Sequence, residues 1–284
     1  MEKIVAIYHG DCNDGTTAGA VVLKKFPNAQ VFPLSYSSTK EDIDLILNTL
    51  DSETEIYTVD CGIGLQEILS KGYKVTTIDH HIGTKEEFEN LAKTNPNFTF
   101  IFDNNKSGAS LSWAYFFPDE PVPELIKYVE DIDLWKLKYG DDSKDINNYI
   151  SIFRNDPVVV LGYLNGNLDE IKKFGNIISK YNNDEIKNLL ELEPIKIKIG
   201  EYEVSAYNIE NYRSEIGNIL SKSLSKTAVM FTIDGDKVKF SFRSQEDNIP
   251  SALDLASKLG GGGHKKSAGG ATSIKNFLEM IVRS

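Results

Sequence analysis

An α/β architecture is predicted for this chain: a doubly wound parallel sheet in the N-terminal half, followed by a smaller α+β lobe. Three observations carry the prediction. Apolar strand segments alternate with helical segments of roughly ten residues through the first 134 positions, the pattern of a parallel sheet covered on both faces. Three of those strands end in Asp or His: Val5-Ala6-Ile7-Tyr8 runs into His9, Ile56-Tyr57-Thr58-Val59 into Asp60, and a third closes as Ile78-Asp79-His80-His81. Open α/β sheets place their sites at such carboxyl ends. From Ile195 the hydrophobic period changes to two, as Ile195-Lys196-Ile197-Lys198-Ile199 shows.

Taken in order, strands are expected at 4–8, 30–34, 55–60, 74–79 and 98–103. Helices are expected at 15–26, 40–50, 64–71, 86–93, 108–117 and 122–134. Ser38 and Thr39 precede Lys40-Glu41-Asp42, and Thr84 precedes Lys85-Glu86-Glu87, so both helices begin with a capping hydroxyl before acidic first-turn residues. The stretch 140–193 is rich in Asn, Asp and Lys, with weak helical periodicity over 145–153, 157–164 and 167–191, and reads as a helical linker. Beyond it come strands at 195–199 and 203–209, a helix at 214–225, and a hairpin over 228–244 turned by Asp234-Gly235-Asp236. Helices at 250–259 and 274–283 flank a glycine loop. The domain boundaries drawn from this are 1–140, a linker over 141–193, and 194–284.

The 284 residues suit two domains. Apolar residues at 40% and charged residues at 26% are ordinary for a soluble globular protein. A net charge of −11 argues against nonspecific grip on long nucleic acid, long duplex DNA included, yet leaves room for a small anionic substrate held by local cations or metals. The cysteines, Cys12 and Cys61, form neither a disulfide framework nor a CxxC pair and suit a reducing compartment. The first residues hold too short an apolar run for a signal peptide, and no stretch approaches a membrane span. The expectation is a cytoplasmic protein without membrane contact.

His9, Asp11, Asp14, Asp60, Asp79, His80 and His81 form a mixed oxygen and nitrogen donor set suited to Mn²⁺ or Mg²⁺, and less well to Zn²⁺ or Fe²⁺. Two ions a few ångströms apart need a bridging carboxylate, and Asp60 on a neighbouring strand end is placed for it. Singly, each of these residues could be a helix cap or a satisfied core group; three strand ends together make that reading poor. Gly15-Thr16-Thr17-Ala18-Gly19-Ala20 opens a helix with small residues, which serves either an anion at a helix N-terminus or close packing. Ser107 starts another helix, as an N-cap or a substrate contact. Asp131 and Asp133 are two residues apart, do not share a helix face, and so offer one metal ligand between them. Near the C-terminus, Gly260-Gly261-Gly262-Gly263-His264 can form a nest of backbone N–H groups around an anion, with His264 and Lys265 adding donors. Arg243 ends the hairpin strand, as a surface charge or a fork for a phosphate.

Asp79-His80-His81 after a strand, combined with GGGGHKKSAGG near the C-terminus, resembles the DHH phosphoesterase family with a C-terminal DHH-associated domain. That family includes RecJ-type exonucleases and NrnA-type nanoRNases. The resemblance implies two lobes with a cleft between them and two divalent ions, typically Mn²⁺, in the N-terminal lobe. It implies that His9, Asp11, Asp14, Asp60, His80 and one of Asp131 and Asp133 hold metal. Asp79 is implied to orient the imidazoles, and His81 to lie near the scissile phosphate. Arg243, Gly261, Gly262, Gly263 and His264 are implied to hold a nucleotide's terminal phosphate. One departure stands out: the family's H-x-D-x-D-G motif here reads His9-Gly10-Asp11-Cys12-Asn13-Asp14-Gly15, one residue longer. Asp11 and Cys12 both compete for the second slot, and a thiolate there shifts preference toward Zn²⁺ or Fe²⁺.

The function expected is a metal-dependent phosphodiesterase cleaving short oligonucleotides or dinucleotides to mononucleotides, with 3'-phosphoadenosine 5'-phosphate as a further substrate. The alternatives are a phosphomonoesterase or inorganic pyrophosphatase, and a noncatalytic nucleotide-binding module. A homodimer is compatible with the sequence.

Overall fold

Five parallel strands form the first sheet of the computed structural model, which describes residues 3–282. They are β1 (Ile4–His9), β2 (Gln30–Leu34), β3 (Glu55–Val59), β4 (Lys74–Asp79) and β5 (Phe98–Phe102), in the order β2-β1-β3-β4-β5. The strand order reverses between β1 and β3, so the crevice at their carboxyl ends is the switch point of the sheet.

Alternation along β1 explains why both faces are covered. Ile4, Ala6 and Tyr8 enter one core, and Val5 and Ile7 enter the other. The first core takes helices α1 (Asn13–Lys25), α5 (Gly108–Phe116) and α6 (Glu124–Asp133), through residues such as Val21, Trp113 and Ile126. The second takes α2 (Lys40–Leu47), α3 (Leu65–Ser70) and α4 (Lys85–Thr94), through Ile43, Leu47, Ile68 and Phe88. Thr39 caps α2 as expected: its Oγ1 accepts from the Asp42 N–H, and Asp42 Oδ2 accepts from the Thr39 N–H at 2.8 Å. Such a box stabilises a helix by about 1 kcal/mol. Thr84 does not cap α4, because its hydroxyl is committed elsewhere.

The stretch set apart as a linker folds as α7 (Asp141–Ile150), α8 (Pro157–Tyr163) and α9 (Asp169–Leu190). Two compact units divide within α9, as Met1–Ser179 and Lys180–Ser284. Ile146, Ile150 and Val160 are fully buried in the first core, so 141–179 is part of that unit rather than a connector. The charge-rich composition hid this: the polar residues outnumber a narrow apolar stripe that is enough to dock each helix.

The second unit is a six-stranded mixed sheet in the order β10-β11-β9-β8-β7-β6. Its strands are β6 (Ile195–Ile199), β7 (Tyr202–Asn208), β8 (Ala228–Asp234), β9 (Lys237–Arg243), β10 (Gly262–Gly263) and β11 (Ser267–Ser273). β7 and β8 pair in parallel, joined by α10 (Arg213–Ser223). The β8–β9 hairpin turns as expected, with Gly235 at φ 58°. α11 (Ala252–Lys258) and α12 (Ile274–Met280) cover one face. The helix expected at 274–283 ends at Met280, and position 283 lies outside the described residues. The glycine loop is itself a strand pair, Gly262 opposite Gly269 and Gly263 opposite Ala268. No helix of the described residues is long and apolar enough to cross a membrane.

Candidate metal centre

Asp60 stands at the switch point, one residue past β3. Its backbone is left-handed, with φ 60°, while its N–H donates to the Ile78 carbonyl at 2.8 Å. Such a conformation costs free energy in a residue with a Cβ and persists where the surroundings fix it. The turn sends the carboxylate back across the sheet edge, where it is 1% exposed. Its Oδ2 lies 3.4 Å from His9 Nδ1 and its Oδ1 3.1 Å from His80 Nε2. His80 Nε2 also lies 3.5 Å from Asp133 Oδ2 and 3.9 Å from Asp14 Oδ2.

The donor atoms fall into overlapping groups, each within 4.8 Å: His9, Cys12 and Asp60; Asp14, His80 and Asp133; and Asp60 with Asp79, His80 and His81. His9 Nδ1, Asp60 Oδ1 and His80 Nε2 are buried without a hydrogen-bond partner. Leaving one such atom unsatisfied costs about 1–3 kcal/mol, so three of them around the Asp60 carboxylate fit bound cations. Asp14 is clamped by the start of α5, where the Gly108 and Ala109 N–H groups donate to its two oxygens at 2.6 and 3.0 Å. Gly108 must be glycine there, since a Cβ would lie 2.5 Å from the Asp60 Cβ.

Asp79 is fully buried and acts on His81. Its Oδ1 accepts from His81 Nδ1 at 2.7 Å and from the His80 and His81 N–H groups, while its Oδ2 accepts from Thr84 Oγ1 at 3.0 Å. The His81 ring is thereby fixed with Nε2 as its remaining donor, and its side chain is 36% exposed.

This geometry decides three alternatives that the sequence left open, against Asp131 and Asp11 as donors and against Ser107 as a substrate contact. Asp131 is not in a donor group; its carboxylate accepts from the Lys138 and Tyr139 N–H groups and from Ser143 Oγ, organising the turn after α6, and Asp133 is the acid that reaches the centre. Asp11 faces away: its Oδ1 accepts from Asn155 Nδ2 at 2.7 Å and its N–H donates to Asn155 Oδ1 at 2.9 Å. Cys12 occupies the position beside His9 and Asp60 instead. Ser107 is fully buried and accepts from the Ser110 N–H as the α5 cap, which leaves it no surface for a substrate.

In the second unit Arg243 pairs with Ser267 across β9 and β11. Its guanidinium donates to Ser241 Oγ, the Phe242 carbonyl and Ser214 Oγ, and Gly217 makes room for its stem. Much of the expected nest is spent internally. The Gly261 N–H donates to the Ala256 carbonyl and the His264 N–H to the Ser267 carbonyl. Gly261 and Gly263 are needed for close strand approach, since a Cβ would lie 2.1 Å from the Gly269 carbonyl oxygen or 2.6 Å from the Ser267 one. At Gly262 nothing lies within 4 Å of the Cβ position, so packing does not explain that glycine.

The DHHA1 domain model matches residues 201–283. Residues 201–283, most of the second unit, are thus a DHHA1 domain. The oligoribonuclease NrnB of Bacillus subtilis is 24% identical over 243 residues, covering 77% of this chain and 57% of NrnB. The chain thus spans little more than half of that relative. Of solved structures, RecJ of Thermus thermophilus in complex with Mn²⁺ is similar with a TM-score of 0.55 at 18% identity, over 98% of this chain and 50% of RecJ. A pGpG-specific phosphodiesterase, PggH of Vibrio cholerae, gives 0.55 at 13% identity, over 98% and 96%. At those identities the structures share the fold.

The electrostatics of the centre suit a divalent cation. Burial, with Asp60 beside it, pushes the Asp133 carboxyl up to about 6. Burial, Asp60 and Asp133 push Asp14 up as well. Burial also opposes the Asp60 charge, but the His80 and His9 imidazoles outweigh it and hold that carboxyl well below its usual range. Burial disfavours a charged His81, yet Asp79 overrides it and raises the ring to about 9. Three acids this close cannot all ionise without added positive charge, which is the condition a metal relieves.

Residue reasoning overlooked Tyr36, Thr84 and Asn155. Tyr36 is 61% exposed, with its ring centroid 5.2 Å from His9 and 6.4 Å from His81. Its only signal in sequence was an aromatic in the Ser-rich segment just after a strand end.

Proposed function

We propose that this protein is a metal-dependent phosphodiesterase that hydrolyses short oligonucleotides or dinucleotides to mononucleotides. The observation that carries the reading is Asp60, with one buried oxygen facing His9 and the other facing His80. His9 and Asp60 would hold one divalent ion, and Asp14, His80, Asp133 and Asp60 a second, with Mn²⁺ as the first choice for the oxygen-rich set. When bound, such ions supply Lewis acidity to a phosphoryl oxygen and lower the pKa of water. The chain's own residues do the rest. Asp14, clamped by the α5 N–H groups, and Asp60, fixed by its turn, set the donor positions before substrate arrives. His81, charged through Asp79, presents Nε2–H to the developing charge on a phosphoryl oxygen. Arg243, Gly262 and the exposed His264 are offered as the contacts for a terminal phosphate.

The short-substrate reading is supported by the net charge of −11 and by similarity to an oligoribonuclease and a dinucleotide phosphodiesterase. The test is product analysis with a 5'-phosphorylated dinucleotide, 3'-phosphoadenosine 5'-phosphate and pyrophosphate, each with Mn²⁺ and with EDTA. Mononucleotide release that needs Mn²⁺ is expected. Phosphate from pyrophosphate alone would replace this reading with a pyrophosphatase. Tight dinucleotide binding without product would replace it with a binding module.

A further inference from the structure

We propose that Cys12 is a thiolate ligand, completing with His9 and Asp60 a softer metal position than the one at Asp14, His80 and Asp133. The inference rests on the metal-binding part of the reading above and goes beyond it in assigning the sulfur. Cys12 Sγ, a His9 ring nitrogen and an Asp60 oxygen lie within 4.8 Å of one another. Independently, His9 Nδ1 is buried and unpartnered and faces Oδ2 of Asp60, a carboxylate only 1% exposed, at 3.4 Å.

The competing carboxylate is held out of the way. Asp11, at φ 56°, exchanges two hydrogen bonds with Asn155. Asn155 is itself fixed, its carbonyl accepting from Tyr8 Oη at 3.0 Å and its N–H donating to Thr16 Oγ1 at 3.1 Å. A capping role does not account for the cysteine. Cys12 stands at the N-cap of α1, where Ser, Asp or Asn stabilises a helix better, and its side chain makes no cap hydrogen bond. Cys61, by contrast, is fully buried in the second core and in no donor group.

Metal binding replaces the S–H bond with a sulfur–metal bond and releases the proton to solvent. The two positions then differ in character: sulfur, nitrogen and oxygen at one favour Zn²⁺ or Fe²⁺, and oxygens with one imidazole at the other favour Mn²⁺. A mixed-metal centre follows, rather than two equivalent Mn²⁺ ions.

Cobalt(II) is the probe. The full chain loaded with Co²⁺ should show a near-ultraviolet sulfur-to-cobalt charge-transfer band, retained in Asp11→Asn and Cys61→Ser and lost in Cys12→Ser and Cys12→Asp. Cys12→Asp should also shift preference from Zn²⁺ toward Mn²⁺ in competition, read as bound metal content. On the unmutated protein, Zn²⁺ should protect Cys12 from alkylation, located by mass spectrometry, so the test stands even if a variant fails to fold. Cobalt bound without the band, a band that survives in Cys12→Ser, or alkylation indifferent to Zn²⁺ would each overturn the proposal. Dinucleotide cleavage without the band removes Cys12 and leaves the phosphodiesterase; the band without cleavage does the reverse. A chain that binds no cobalt overturns both.

Discussion

At the residue scale, Asp79 fixes His81, the ring proposed to meet the phosphoryl group. Its four hydrogen bonds go to His81 Nδ1, two backbone N–H groups and Thr84 Oγ1. Asp79→Asn keeps the volume but removes the charge that raises His81 to about 9. The expected result is a fall in kcat of about 10–100-fold with little change in KM, measured by steady-state dinucleotide hydrolysis. An unchanged kcat would mean that His81 does not work as a charged donor. The sequence made the Asp79–His81 pair readable, because both stand in one short motif. It did not reveal Thr84, whose hydroxyl looked like a helix cap and instead serves the carboxylate.

At the scale of elements, the decisive contact is the start of α5 against Asp60 and Asp14. α5 donates two backbone N–H groups to Asp14, and Gly108 lets it come close enough to do so. In Gly108→Ala the added methyl would meet Asp60 Cβ at 2.5 Å and Asp60 Oδ1 at 2.7 Å, so the helix or the carboxylate must move. The variant should lose about 1–3 kcal/mol of stability in denaturant unfolding and should bind Mn²⁺ more weakly by calorimetry. Normal Mn²⁺ affinity would show that α5 does not set the donor geometry. Strand positions followed from hydrophobic alternation because burial on both faces forces apolar runs. The helices of 141–179 were harder to place: their exposed faces are charged, and which core receives the narrow stripe is a tertiary matter.

At the scale of the whole molecule, the proposed metal centre predicts a stability that depends on metal and pH together. Without metal, the folded chain holds protons on Asp14 and Asp133 more tightly than the unfolded chain does. The stability these two groups add is fully present below about pH 4, the range of unfolded carboxyls. For Asp133 it is lost as the pH rises through about 6. Metal reverses the demand, since the ligands must be deprotonated. Saturating Mn²⁺ at about 100 times its Kd should add roughly 2.7 kcal/mol at pH 7.5, seen as a raised Tm that EDTA abolishes. That gain should shrink as the pH falls below about 6. An equal gain at pH 5 and pH 7.5 would mean that Asp14 and Asp133 are not ligands.

Periodicity and strand-end chemistry, both local, made the two-part α/β and α+β architecture and most of the donor set readable from sequence alone: His9, Asp14, Asp60 and His80 all stand where strands end or a helix begins. The choices between neighbours were tertiary. Asp133 over Asp131 was decided by where the turn after α6 needed a carboxylate, and Cys12 over Asp11 by the side-chain amide of Asn155, 144 residues away. A sequence specifies which residues are near a site, but the direction of a side chain one position along depends on partners that only folding brings within reach.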